Sequence, residues 1–465
     1  MKRMMMLALV ALTTIAHSFA DDFTTAGNGT AWTMTKLSET DGSGVTKEGN
    51  VFTLANTVVI APGDRFVLED GITVMLAKAV NFEIEGTAKM VAQSEQRVLF
   101  TRSAEDVVPG VVYLKCEDTE TVPVSYIDFE YVGLKYFGGV GLTVSNCTFR
   151  YHEASTANGT SALNLAGEGA QFTVHDCIFE KNKRAAIGGA ANSSNPTTIY
   201  NCEFLYNDQQ NLNYPQLNLT ASSLIHVHHN RVIGDRTKTR GGGIMVADLL
   251  GVATNPTTII ENNEVRDNRY GIALYAGQKA MVRYNTIVDN NTETNPNNGG
   301  SGINVYDTSG TQETMITGNR IEGSLWGISI IGGKSVNCGR VDVAETDDGY
   351  NPGHNVFYNN GNNGEVYDLY NNSANTVYAQ NNYWKTAATQ DAESIENVIT
   401  HKNDNAALGE VIFTPFLTEE PTGITRITTP ATADAVFSLG GIRHKELQKG
   451  LNIVIRNGKA VKIIK

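Results

Sequence analysis

The densest chemistry in the chain sits at one repeated offset. His175, Tyr200, His228, Glu261, Arg283 and Thr317 each stand two residues before the second member of a recurring polar pair. In a repeating fold they form one line of outward side chains. A base, an acid and a guanidinium in line suit proton transfer, which makes Tyr200, His228, Glu261 and Arg283 the candidate catalytic residues. His226 shares a face with His228, and His226, His228 and Glu261 are alternatively a zinc set. Without chemistry the line is a solvated ladder containing a Glu261–Arg283 pair, which contributes little. A second cluster, Asp342, Glu345, Asp347 and Asp348, is followed by Gly349. Four carboxylates so close suit a hard cation such as calcium, although the spacing is not that of an EF-hand and acidic loops are often only solvated.

A third group is neutral. Asn164, Asn218, Met245, Ala273, Asn304 and Ser329 each lie between two apolar residues, with Tyr275 and Tyr306 just beyond. Asn and Ser bond to hydroxyls, and Tyr offers a flat apolar face with a polar tip. Asn218, Tyr275, Asn304 and Tyr306 are therefore candidate contacts for a neutral polysaccharide. An acidic one would want Lys and Arg at these positions.

The elements that position these residues repeat nine times between Val144 and Trp384. The pair's second member is Cys147, Cys177, Cys202, Asn230, Asn263, Asn285, Asn319, Asn355 and Asn382, with a bulky apolar residue two positions on. Steps of 22 to 36 residues between them mark a solenoid. Val174, Ile199, Val227, Ile260, Val282 and Ile316 lead into the pairs. Leu163 and Leu165, Leu217 and Leu219, Ile244 and Val246, Ile272 and Leu274, Ile303 and Val305, and Ile328 and Ile330 follow them. Period-two alternation in short runs means strands, and three strands per repeat predict an all-β right-handed parallel β-helix. Leucine-rich repeats would need a regular Leu spacing that is missing. The Asn column is expected to supply the left-handed turn residue and, at about 4.8 Å per coil, to bond from coil to coil, with Cys filling the same column.

Residues 1–20 read as a secretory signal peptide, with Lys2 and Arg3, an apolar run and Ser18-Phe19-Ala20. No stretch is long and apolar enough for a transmembrane segment. Residues 21–50 read as an N-terminal cap and 51–417 as the β-helix with a small capping helix opened by Asp391-Ala392-Glu393. Residues 418–435 read as a linker, and 436–465 as a short β tail with a hairpin at Asn457-Gly458. Removing the signal takes the net charge from −13 to −15, which argues against nucleic acid as a partner. Five cysteines, three of them in one column, are expected to pack without an obligatory disulfide, and the chain is expected to act as a monomer. Inserted stretches at 150–160, 205–215, 233–242, 247–256, 288–301 and 331–352 flank the glycine-containing strand and would wall a groove along it.

The run Asn381-Asn382-Tyr383-Trp384, the helix with Ile395 and Ile399, and Phe413-Thr414-Pro415-Phe416-Leu417 resemble the closing coil of bacterial secreted proteins of the pectate-lyase-like superfamily. That resemblance implies the β-helix over roughly 51–417. It leaves three roles open: polysaccharide binding, lyase or hydrolase activity on polysaccharide, and structural or adhesive work at a surface. The superfamily's lyase Arg-x-Pro-x-x-Arg and its ordered hydrolase acids are absent, so catalysis stays an open question here. Leu439-Gly440-Gly441-Ile442-Arg443 and the tail from Lys449 are similar to type IX secretion sorting signals, which implies an extracellular or outer-membrane location.

Overall fold

Short alternating runs form strands whose inward residues are buried: in Phe172–His175, Phe172 and Val174 face in while Thr173 and His175 face out. The computed structural model describes residues 22–153, 161–167, 169–189, 193–275, 277–307 and 309–421, together with the tail strands Ala435–Ser438, Arg443–His444, Leu451–Arg456 and Lys459–Ile464. Each full coil gives one strand leading into the polar pair (sheet A), one following it (sheet B) and the glycine-containing strand (sheet C). Each sheet has 14 strands. Neighbours within them are parallel, except that Val45–Glu48 and Val51–Leu54 pair antiparallel at the start of sheet B. Equal positions stack: His175 lies against Tyr200 and Tyr275 against Tyr306 in register.

The ends are covered. Phe23–Thr24 and Ala31–Trp32 are the first strands of sheets C and A, and the short helix Met34–Ser38 buries Met34 and Leu37. Asp64 ties this segment down by accepting from the amides of Gly27, Asn28 and Thr30 and from the Trp32 indole. At the other end the helix Ala392–Glu396, capped by Asp391, buries Ile395. Ile399–Thr400 and Val411–Ile412 are the last strands of sheets C and A. The tail strands make a separate four-stranded antiparallel sheet in which Arg456 faces Lys459, while Asn457-Gly458 and the 1–20 segment lie outside the described residues.

Two residues past the pair, Phe149, Phe179, Phe204, Val232, Val265, Ile287, Ile321, Phe357 and Trp384 are fully buried. The Phe149, Phe179 and Phe204 rings stack at 4.7 and 5.0 Å.

The asparagine column forms as a buried ladder. The backbone N–H of Asn230, Asn263, Asn285, Asn319 and Asn355 each donates to Oδ1 of the next Asn at 2.8–3.0 Å, and each Nδ2 donates to the same oxygen. Nδ2 also reaches backbone carbonyls, as from Asn285 to Ile260 at 2.9 Å. Cys202 continues the column by donating its N–H to Asn230, and Cys147 donates to the Cys177 sulfur. All five cysteines are buried and unpaired. One expectation is corrected. The left-handed residue is not the ladder Asn but the residue before it: Asn146, Asp176, Asn201, His229, Asn262, Tyr284, Gly318, His354 and Asn381, with φ of 53–63°. That residue turns the corner, and its N–H is held by the next coil, as in His229 to the Glu261 carbonyl.

A second ladder runs between sheets B and C. His152, Asn182, Asn207, Asn268, Asn290, Ser324 and Asn360 each lie five residues after a first-column residue. Asn182 donates to Asn207, Asn268 to Asn290, and the Ser324 N–H to Asn360. The coil after that of Asn207 has Asp235 at this offset and so no amide for this column. Gln216, reaching across from sheet C, fills the gap by accepting from Asn207 at 2.8 Å and donating to Asn268 at 3.0 Å. Ala387 leaves a similar gap, and there Asp368 accepts from Asn360 at 2.8 Å. In the four strands between Gln216 and Asp368 the equivalent residue is Gly243, Gly271, Gly302 or Gly327. A Cβ there would lie 2.3–2.8 Å from the next strand's carbonyl oxygen. Glycine marks sheet C because the ladder and the neighbouring backbone already occupy that space.

Asn285→Ala removes one rung and leaves buried groups on Asn263 unpaired, so stability is expected to fall by about 3 kcal/mol in urea titration. A loss below about 0.5 kcal/mol would show that the ladder does not hold the stack. Asp368 gives a pH signature. Burial pushes its carboxyl from 3.8 up to about 7, with only partial offset from the Asn360 and Thr386 hydrogen bonds. The folded state therefore binds the proton more tightly, and stability is lost as pH rises from about 4 to about 7. Asp368→Asn should melt higher than the parent at about pH 8, with the gain shrinking on the order of 1 kcal/mol per pH unit below about pH 7.

Candidate functional site

The outer face of sheet C holds a cleft of about 330 Å³. Its floor comes from Met245, Ala273, Tyr275, Ser301, Asn304, Tyr306 and Ile331, and its wall from the B-to-C connections through Asn213, Arg269, Tyr270, Asn298 and Gly299. Tyr275, Asn304 and Tyr306 thus meet in one place, as in-register stacking requires. Asn218 lies on the same face but outside the cleft, lining a smaller hollow of about 60 Å³ with Thr220 and Leu249. Ser329 and Ser301 share a hydrogen bond at 2.8 Å, and Asn304 Nδ2 donates to Ser329 Oγ at 2.7 Å. Asn304 Oδ1 is left without a protein partner among the described residues. The Tyr275 and Tyr306 rings stack on each other at 4.6 Å and 18°, so one face of each is covered. Each ring therefore keeps only its other face, with its edge and hydroxyl, for a sugar. Burial, and then the neighbouring Tyr306, raises the Tyr275 hydroxyl above its ordinary pKa, so it stays a donor.

Arg269 is the one charged residue lining the cleft among the described residues. It has no carboxylate partner among the described residues, its Nε is buried without a hydrogen bond, and burial lowers its pKa. It packs over the Tyr270 ring at 5.1 Å. Sequence reasoning passed over Arg269, yet it directly follows Asn268, and the five-residue offset of the second ladder would have placed it at the corner opening onto sheet C. The same face continues to Trp326, in register with Ser301, whose ring stacks on Tyr370 at 5.0 Å. Among the described residues the cleft lining contains no carboxylate and no imidazole.

The candidate catalytic residues sit on a different face, the outside of sheet A. His175, Tyr200 and His228 stack ring on ring at 4.9 and 5.0 Å. Glu261 accepts from Arg283 Nε at 2.6 Å through one oxygen and pairs with His226 Nε2 at 2.9 Å through the other. Burial opposes ionisation of Glu261, but these two bonds outweigh it and hold the carboxyl below its ordinary range. Burial, then His226 and His229, lowers the pKa of His228. Thr317 ends the line beneath the Gly353 carbonyl, to which it donates at 2.8 Å. Tyr200, His228, Glu261 and Arg283 are together, then, but away from the cleft. Both oxygens of Glu261 are committed to its neighbours, so His226, His228 and Glu261 do not converge on one point.

Asp342, Glu345, Asp347 and Asp348 are exposed on the 331–352 loop. Asp342 faces Arg340 at 3.3 Å, Asp347 accepts from the Gly349 N–H, and Asp348 borders a hollow beside Lys279. Among the described residues no three His, Cys, Asp or Glu side chains gather as a metal site.

Three parallel sheets closed by turn ladders, and loops gathered on one outer face, define a right-handed parallel β-helix protein. The family model for the right handed beta helix region matches residues 110–321, the stretch that carries both ladders for most of their length. No curated protein and no solved structure matches the chain. No helix among the described residues is long and apolar enough to cross a membrane.

The sheet A line behaves as a half-exposed ladder in this geometry. Arg283→Ala is expected to lower stability by about 1 kcal/mol or less in urea titration. A loss several times larger would mean that the Glu261 network holds the coils together.

Proposed function

We propose that the chain is an exported surface protein that binds polysaccharide in the sheet C cleft. One observation carries this reading: Tyr275, Asn304 and Tyr306 line a single cleft with Asn213, Asn298 and Ser301, a set of hydroxyls and amides suited to sugar hydroxyls. Most of the described lining is neutral amide and hydroxyl, which suits a neutral glycan, while the Arg269 guanidinium can donate to sugar hydroxyls or to a uronate carboxylate. Export and a surface location rest on the sequence of residues 1–20 and of the tail. Lyase or hydrolase action is the competing reading, since Tyr200, His228, Glu261 and Arg283 do form one cluster. An adhesive role is the third.

Affinity electrophoresis against neutral and uronate polysaccharides, with reducing and unsaturated ends assayed in parallel, separates the three. Retardation by a neutral glycan is expected, weakened roughly threefold to tenfold in Tyr306→Phe and further in the Tyr275→Ala, Tyr306→Ala double variant, without new ends. Turnover abolished by Glu261→Gln would replace this reading with an enzyme. Absence of both binding and turnover would leave the adhesive role.

A further inference from the structure

Three histidines crowd one corner of the sheet A face. His226 and His228 alternate outward on the strand Ile225–His228, their ring centroids 4.3 Å apart. His229 follows at the left-handed corner, with φ of 57°, and its exposed ring stands edge-on to His228 at 88°. The consequence is unusual for adjacent residues: His228 Nδ1 and His229 Nδ1 lie 2.9 Å apart and point at each other. A contact between two imidazole nitrogens needs one N–H and one lone pair, so the pair shares a single proton between two sites that would each accept a cation.

We propose that His228 and His229 chelate a divalent transition-metal ion, zinc or copper, through their two Nδ1 atoms. Two nitrogens bound tetrahedrally at 2.0–2.1 Å from zinc stand about 3.3 Å apart, so opening the present contact by a few tenths of an ångström admits the ion in place of the shared proton. The His228 ring is already oriented: it stacks on Tyr200, coplanar to 1° at 5.0 Å, and lies 4.3 Å from the His226 ring. His226 is itself pinned by Glu261, which Arg283 anchors. Glu261 therefore belongs to the support of the site and not to its ligands, which separates this pair from a His226, His228 and Glu261 set. The other coordination positions face solvent and are open to water or to a ligand from outside. Borderline ions fit because imidazole is the donor; calcium and magnesium, which take oxygen ligands, do not. The site is independent of the sheet C cleft.

The test is isothermal titration of the full chain, carrying no histidine tag, with zinc chloride alone, followed by electron paramagnetic resonance of the copper-loaded protein. His228→Phe keeps a ring in the stack and His229→Asn keeps a residue tolerant of the left-handed corner, so both variants retain the fold, checked by thermal melting. His175→Ala on the same face is the control. One zinc per chain is expected in the parent and in His175→Ala, with affinity reduced about tenfold or more in each of the other two. The copper spectrum should show two nitrogen donors, and one after His229→Asn. No zinc uptake by the parent, or uptake unchanged in His229→Asn, would overturn the proposal.

Discussion

A buried amide must find partners, and in this molecule it finds them in the copy of itself one coil away. Stacking at about 4.8 Å places each ladder Asn where its Oδ1 receives two donors from one neighbour and its Nδ2 reaches the next oxygen. That arrangement holds only if every coil turns at the same height, so the ladders fix the corner and the corner fixes the register of all three sheets. The left-handed residue before each ladder position follows from this. Tyr284 and His354 adopt a conformation such residues usually avoid because the coils on either side leave the backbone no alternative.

The second ladder shows the same constraint from its exceptions. Where the column lacks an amide, Gln216 or Asp368 reaches in from sheet C, and the four sheet C strands between those two carry glycine at the equivalent position. Asp368 is the costly member. It accepts from Asn360 in a fully buried setting, and burial resists its ionisation.

What the outer surfaces can do follows from the interior. Straight stacking produces lines of like-placed residues, and rings in such lines cover one another's faces, as Tyr275 and Tyr306 do on sheet C and Tyr200 and His228 on sheet A. Concavity comes from elsewhere. The connections carrying Asn213, Arg269 and Asn298 rise beside sheet C and turn a flat ribbon into a cleft. The corner at His229 breaks the line on sheet A and turns one imidazole toward its neighbour.

The sequence determined the strand period, the inward residues, the Asn and Cys column and the line from His175 to Arg283, because each depends on offsets within one coil and on the repetition of those offsets. The second ladder was equally legible at five residues past the first, but its members include His152 and Ser324, and the gaps at Asp235 and Ala387 blur it. Tertiary structure alone decided the rest. That the left-handed residue precedes the Asn depends on where the amide must point to meet the next coil. That Arg269 joins Tyr275, Asn304 and Tyr306, that Asn218 falls outside their cleft, and that Glu261 turns to His226 and Arg283 are set by how loops of unequal length fold over neighbouring coils. Such contacts join residues tens of positions apart, and no local period records them.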